Sequence, residues 1–162
     1  MPKVYIIMGK DNTRKSAIIR CLTGFRQEKK KWQWYIATQK RIIIIYIQIT
    51  SLQETYDGKG ISAEDFIYKI SILKPSNILV ALRFKNNRKN KTRDSFAYIK
   101  EFIKAKWKIS EIVALGMNEK SYNKQKPNNL RIPKPLFISN LGSDKKPTNE
   151  IAAAIRKKWG WL

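Results

Sequence analysis

Histidine is absent from this chain, and cysteine occurs once, at Cys21. These two shortages remove whole classes of chemistry. One thiol cannot close an intramolecular disulfide, the usual Cys/His zinc sites lack their ligands, and histidine-based proton transfer is excluded. Acidic residues are also scarce: 12 Asp and Glu stand against 34 Lys and Arg, giving a formal charge of +22 at pH 7. Long apolar runs are missing. The run RIIIIYIQIT at 41–50 falls well short of the roughly 18 residues a spanning helix needs, so no membrane partner is expected. No basic segment followed by an apolar stretch and a cleavage site opens the chain, and the cytoplasm is the expected compartment.

What is present is a globular composition. Hydrophobic residues make up 43% of 162 residues and are spread along the whole length, enough to bury a core without staples. One domain over 1–162 is expected. The positive field attracts polyanions, and nucleic acid is the first candidate partner. A genome biased toward A and T accounts for the same lysine and isoleucine abundance through its codons. Both explanations stay open, because charge sign informs about partners and not about fold.

Along the chain, apolar runs alternate with helical patterns. Residues 3–8 read as a buried strand, followed by a polar loop and a helix over 15–22. The basic connection FRQEKKK leads to strands at 32–37 and 41–50, joined by a turn at 38–40; isoleucine density favours strand for the second. After the loop SLQETYDGKG, Ser62 caps a helix with apolar residues at helical spacing from Phe66 to Leu73, and Pro75 ends it. NILVALRF is the next strand. The loop KNNRKNKTRD (85–94), a helix over 95–107 and a strand over 111–117 follow. A long loop at 118–134, a strand over 135–141 and a helix over 147–159 with a Thr cap complete the order. Strands separated by helices at this spacing predict an α/β fold, with a mostly parallel sheet between helices on both faces.

The first loop, GKDNTRKS, carries the most specific signal. Gly9, Lys15 and Ser16 occupy the first, seventh and eighth positions of G-x-x-x-x-G-K-[ST], with a strand before and a helix after. In such a loop backbone N–H groups wrap a phosphate, the lysine neutralises its oxygens and the hydroxyl ligates Mg²⁺. Arg14 stands where the second glycine is usual. It either blocks the phosphate cradle or joins it as an added cation; the joint presence of Gly9, Lys15 and Ser16 favours joining. The alternative is an ordinary basic strand–helix turn.

On these residues the chain resembles the P-loop NTPase superfamily, and its element order is similar to that of a small GTPase. DGKG at 57–60 matches the D-x-x-G switch motif of that family. The resemblance implies ATP or GTP as ligand with Mg²⁺, and phosphate contacts from Gly9, Asn12, Thr13, Arg14, Lys15 and Ser16. It implies metal binding through Ser16 and, by way of water, Asp57. Asn118 falls near the position of the guanine-selecting N-K-x-D motif, without the Asp, and ISN at 138–140 falls at its second guanine loop. No apolar strand ends in Asp, so Glu54 or Asp57 must supply the acidic partner of the metal.

Outside that loop, Arg88, Lys89, Lys91 and Arg93 form a basic cluster after a strand, at the end where parallel sheets bind ligands. They are expected to cover a nucleotide or to grip nucleic acid; a solvated loop is the bland explanation. Trp32 and Trp34 should share a face by strand alternation, as a stacking platform or as packing under a helix. Trp159 and Trp161 dock on the sheet or mediate association. The sequence thus points to a Mg²⁺-dependent nucleoside triphosphate-binding protein acting on or near nucleic acid, with hydrolysis open. The rival is a non-enzymatic nucleic-acid-binding module on a degenerate P-loop fold. Oligomeric state is not legible.

Overall fold

A computed structural model describes residues 1–11, 13–26, 32–139 and 147–162. Among these residues eleven elements follow one another: β1 (Lys3–Gly9), α1 (Lys15–Thr23), β2 (Gln33–Ala37), β3 (Ile42–Gln48), α2 (Ala63–Leu73), β4 (Asn77–Arg83), α3 (Ser95–Lys104), β5 (Lys108–Leu115), α4 (Glu119–Gln125), β6 (Leu136–Ile138) and α5 (Thr148–Trp159). The strands form one sheet in the order β2-β3-β4-β1-β5-β6. Every pairing of these strands is parallel except the β2–β3 hairpin. This is the expected α/β class.

β1 is central because it can be buried on both faces: Val4, Ile6, Ile7 and Met8 are all fully buried. Each such side chain stabilises the fold by about 1.5–3 kcal/mol relative to exposure. Strand alternation sends Val4, Ile6 and Met8 toward α2 and α3, and Ile7 toward α1 and α5. α1 contributes Ile18, Ile19 and Leu22, and α5 contributes Ile151, Ala152 and Ile155, each set at helical spacing. Arg156 of α5 joins the two helices by donating to the carbonyls of Leu22 and Cys21. None of the described helices is long and apolar enough to cross a membrane.

Several local expectations change. The stretch 118–134 is not all loop, because Asn118 caps α4 by accepting from Ser121 N (2.9 Å) and Tyr122 is buried beneath it. α3 stops three residues before Trp107, where Lys106 takes a left-handed φ of 63°. The chain then turns so that Trp107 stacks on Phe102 (5.0 Å). β5 therefore starts at Lys108, three residues before the expected Glu111. Trp32 and Trp34 do not share a face. Trp32 precedes β2, so strand alternation does not govern it; its ring lies toward Tyr46 (6.4 Å) on the α2/α3 side. Trp34 meets Phe25 on the other side (5.3 Å) and donates to Thr23 O (2.8 Å). Both rings are used in packing. Trp159 and Trp161 do dock on the sheet, around Tyr5 of β1 (5.3 and 5.1 Å).

Candidate functional site

At the carboxyl end of a parallel sheet, chain segments leave the strands and helix N-termini arrive, which is where such sheets form ligand crevices. Here the segments after β1, β3 and β4 enclose a groove of about 640 Å³. Its lining includes Asp11, Thr13, Arg14, Lys15 and Ser16 from the first loop, Ser51, Glu54 and Gly58 from the second, and Arg83, Asn87 and Lys89 from the third. With Arg20, five cations face two carboxylates. The excess of positive charge suits an anion.

Gly9 ends β1 between Arg83 of β4 and Leu115 of β5. A β-carbon there would lie 2.4 Å from Thr13 Oγ1, so only glycine fits this close approach. Thr13 is buried and donates to Lys10 O (2.8 Å), which folds the loop back on itself. Lys15 closes the fold. Its side chain is 7% exposed, and its ammonium donates to Lys10 O (2.9 Å), Gly9 O (3.3 Å) and Thr13 Oγ1 (3.4 Å). Burial holds its pKa below the ordinary lysine value; Glu54 and Asp11 pull it back up, and Arg83 lowers it further. A buried cation satisfied only by neutral oxygens is costly.

Arg14 explains why glycine is usual at its position. Its backbone is left-handed, φ 59° and ψ 28°, a conformation that costs a non-glycine residue roughly 1–2 kcal/mol. The loop keeps that shape with an arginine in place. Its guanidinium donates to Thr148 Oγ1 (3.3 Å) at the start of α5; Thr148 thus receives the arginine, and the N-cap position belongs to Pro147. Ser16 sits in the first turn of α1 and donates to Ile49 O (3.2 Å) just beyond β3. Asn12, like Asn140 of ISN, lies outside the described residues.

Two residues that sequence reasoning did not single out organise the rest. Gln53 is fully buried. Its amide grips the main chain of Arg83 from both sides, accepting from Arg83 N (2.9 Å) and donating to Arg83 O (2.9 Å), and it also reaches Arg93 O (3.3 Å). Arg83 ends β4, the strand beside β1. Its guanidinium bridges two loops: Nη2 meets Asp11 at 2.6 Å and Nη1 meets Glu54 at 3.5 Å. The only signal for Arg83 was a charge closing an otherwise apolar strand after Asn77. A lone glutamine after Leu52 gave no signal for Gln53.

The structure distributes the remaining candidates unevenly. Asp57 is exposed on the turn after β3, with a left-handed φ of 55°, and does not line the groove. Glu54, the alternative acidic partner, does. Gly60, the last residue of DGKG, has φ 73° and packs so closely that a β-carbon would lie 2.9 Å from both Gln53 O and Thr92 Cγ2. The segment 85–94 is folded by its asparagines: Asn87 N donates to Thr92 O (3.1 Å), and Asn90 donates to Gln53 O and to Gly58 O (2.8 Å). Arg88, Lys89, Lys91 and Arg93 are carried on this frame, all four exposed. Lys89 faces the groove, while Lys91 and Arg93 border a second cavity of about 340 Å³ beside α2 and α3. Asn118 is occupied as the cap of α4.

Among the described residues no cluster of three or more His, Cys, Asp or Glu could hold a metal by itself. A magnesium ion does not require one, since it binds through one or two carboxylates together with ligand phosphates and water. Ser16 and Glu54 border the same groove. No family model, curated protein or solved structure matches this chain.

Proposed function

We propose that this α/β protein is P-loop NTPase-like and binds a nucleoside triphosphate, ATP or GTP, with Mg²⁺ in the groove at the carboxyl end of β1. The observation that carries the reading is Lys15. Its ammonium is buried at the start of a helix, between a strand-end glycine and a loop folded by Thr13, and among the described residues its hydrogen bonds all go to neutral oxygens. A phosphate offers this cation a charge-assisted partner and recovers part of its desolvation cost. The N-terminus of α1 supplies backbone N–H groups and a favourable dipole for the same anion. Ser16 and Glu54 are the groups to hold Mg²⁺, directly or through water, in place of the Ser16 and Asp57 pair expected from the motif. Arg14 contributes positive charge from the α5 side of the groove. Hydrolysis is not part of the proposal.

The cations Arg88, Lys89, Lys91 and Arg93 support action on or near nucleic acid, because a hydrogen-bonded loop presents them to solvent. They also support the second reading, a nucleic-acid-binding module without enzymatic activity. Equilibrium titration of labelled ATP and GTP, with and without Mg²⁺, separates the two. Wild type should bind in a Mg²⁺-dependent way, and Lys15→Ala should weaken binding by at least about tenfold, or 1.4 kcal/mol. Equal affinity for wild type and a folded Lys15→Ala protein sinks the nucleotide site. Retention on nucleic acid without any nucleotide binding selects the second reading.

A further inference from the structure

We propose that Arg83 is the residue that tells a triphosphate from a diphosphate, exchanging its two carboxylate partners for the terminal phosphate. The inference rests on the nucleotide reading of the groove and names the regulation of that site.

Three observations lead to it. The first is position. Arg83 pairs in register with Gly9, the first residue of the loop, and its side chain lines the same groove as Lys15 and Ser16. Of the strands flanking β1, β4 is the one that ends there in a cation. The second is the contrast between its main chain and its side chain. Gln53 fixes both the N–H and the C=O of Arg83 from a fully buried site. The guanidinium is partly open, and its ion-pair partners are solvent-accessible carboxylates, with side chains 51% exposed for Asp11 and 36% for Glu54. Exposed ion pairs are weak and exchange readily. The guanidinium can therefore change partners while the backbone stays fixed.

The third observation is charge. Asp11 and Glu54 lie on two different loops, and Arg83 ties them together. A polyphosphate entering the groove meets both carboxylates, and it is repelled unless cations take up the added charge. A guanidinium matches phosphate oxygens with parallel donors, which makes phosphate a competitive partner for the fork that now spans Asp11 and Glu54. Once Arg83 turns to phosphate, Glu54 loses its cation and becomes available to Mg²⁺. One exchange thus couples the terminal phosphate to the metal carboxylate and releases the tie between the two loops. With a diphosphate the terminal group is missing, and Arg83 stays with Asp11 and Glu54.

The test compares triphosphate with diphosphate binding. Wild type, Arg83→Gln and Arg83→Lys are titrated with Mg²⁺ and hydrolysis-resistant analogues of ATP and GTP, then with ADP and GDP. Arg83→Gln should lower triphosphate affinity by at least about tenfold more than it lowers diphosphate affinity. Arg83→Lys should keep part of the discrimination, since it keeps the charge and loses the fork. A purely structural role for Arg83 would lower both affinities together. That result, or unchanged triphosphate binding by Arg83→Gln, overturns the proposal while wild-type binding and its Lys15 dependence still stand. Failure of wild type to bind any of the nucleotides overturns this proposal and the reading beneath it together.

Discussion

The segment between β1 and α1 and the segment between β4 and α3 are both polar and basic, and both leave the carboxyl end of the sheet. They hold their charge in opposite ways. In the first, Lys15 is buried against its own loop, with its pKa lowered chiefly by desolvation. In the second, five cations reach water, Lys85 together with Arg88, Lys89, Lys91 and Arg93, while the side chains that organise the loop are the neutral Asn87 and Asn90. A buried cation lowers stability unless something binds it, so its presence there points to a ligand. Exposed cations carry little structural cost and say much less. The first loop is therefore the better guide to function, although the second holds more charge.

The largest effect should come from removing the buried side chain that holds Arg83, at the end of β4, and Arg93, in the second region. Gln53→Ala leaves the main-chain N–H and C=O of Arg83 without their buried partner, at a cost of roughly 2–4 kcal/mol. For a chain of this size the melting temperature should fall by about 5–15 °C. A calorimetric scan within about 2 °C of wild type would show that the second region does not depend on this buried amide.

Next is Arg14→Gly, which acts on the first loop alone. Glycine relieves the left-handed strain, but it gives up the hydrogen bond to Thr148 and loosens the unfolded chain, so a gain of up to about 1 kcal/mol is expected. Denaturant titration gives the sign, and a clear loss of stability would mean that the bond to Thr148 outweighs the backbone strain. Nucleotide titration of the same variant shows whether Arg14 joins the cradle, in which case affinity falls, or blocks it, in which case affinity rises.

A smaller, pH-dependent effect isolates Lys15. Its folded pKa lies below the ordinary value of 10.5, so between those two values the unfolded chain binds more protons. Stability conferred by this residue therefore rises with pH across that window and is lost as pH falls through the folded pKa. Lys15→Met removes the titration. The stability of wild type minus that of Lys15→Met should climb toward the ordinary lysine value of 10.5, and a flat difference would mean that the ammonium is well solvated.

The smallest change in stability should come from the second loop. Replacing Arg88, Lys89, Lys91 and Arg93 together by Gln should leave the melting temperature within about 1 °C, because exposed charges away from special contacts contribute little. On nucleic acid the same variant should show a shallower log–log salt dependence, by about 0.7–0.9 for each phosphate that the loop no longer neutralises. Wild-type and variant slopes that coincide would remove this loop from any nucleic-acid surface.

Much of the framework follows from local pattern. The apolar run before Gly9, the isoleucine-rich 41–50 stretch and the Ser62 cap each identify their element because period and capping are short-range properties. Boundaries failed where a tertiary contact competed with local pattern. Trp107 leaves α3 to stack on Phe102, and Trp32 turns away from Trp34 because β2 begins one residue later. Of the site, the sequence picked out Gly9, Lys15 and Ser16 through a fixed spacing. Asp57 was preferred over Glu54 because it belonged to a recognisable tetrapeptide, but a motif match carries no information about which side chain faces the groove.

By itself the sequence determined the alternation of strands and helices, the burial of β1 and the loop in which a lysine meets a helix start. These depend on residues a few positions apart. Only the tertiary structure decided that β4 lies beside β1, that Gln53 grips Arg83 across 30 residues, and that Arg83 joins Asp11 to Glu54. Such contacts arise from the order in which parallel strands assemble. That order depends on how whole faces pack, and no local spacing encodes it.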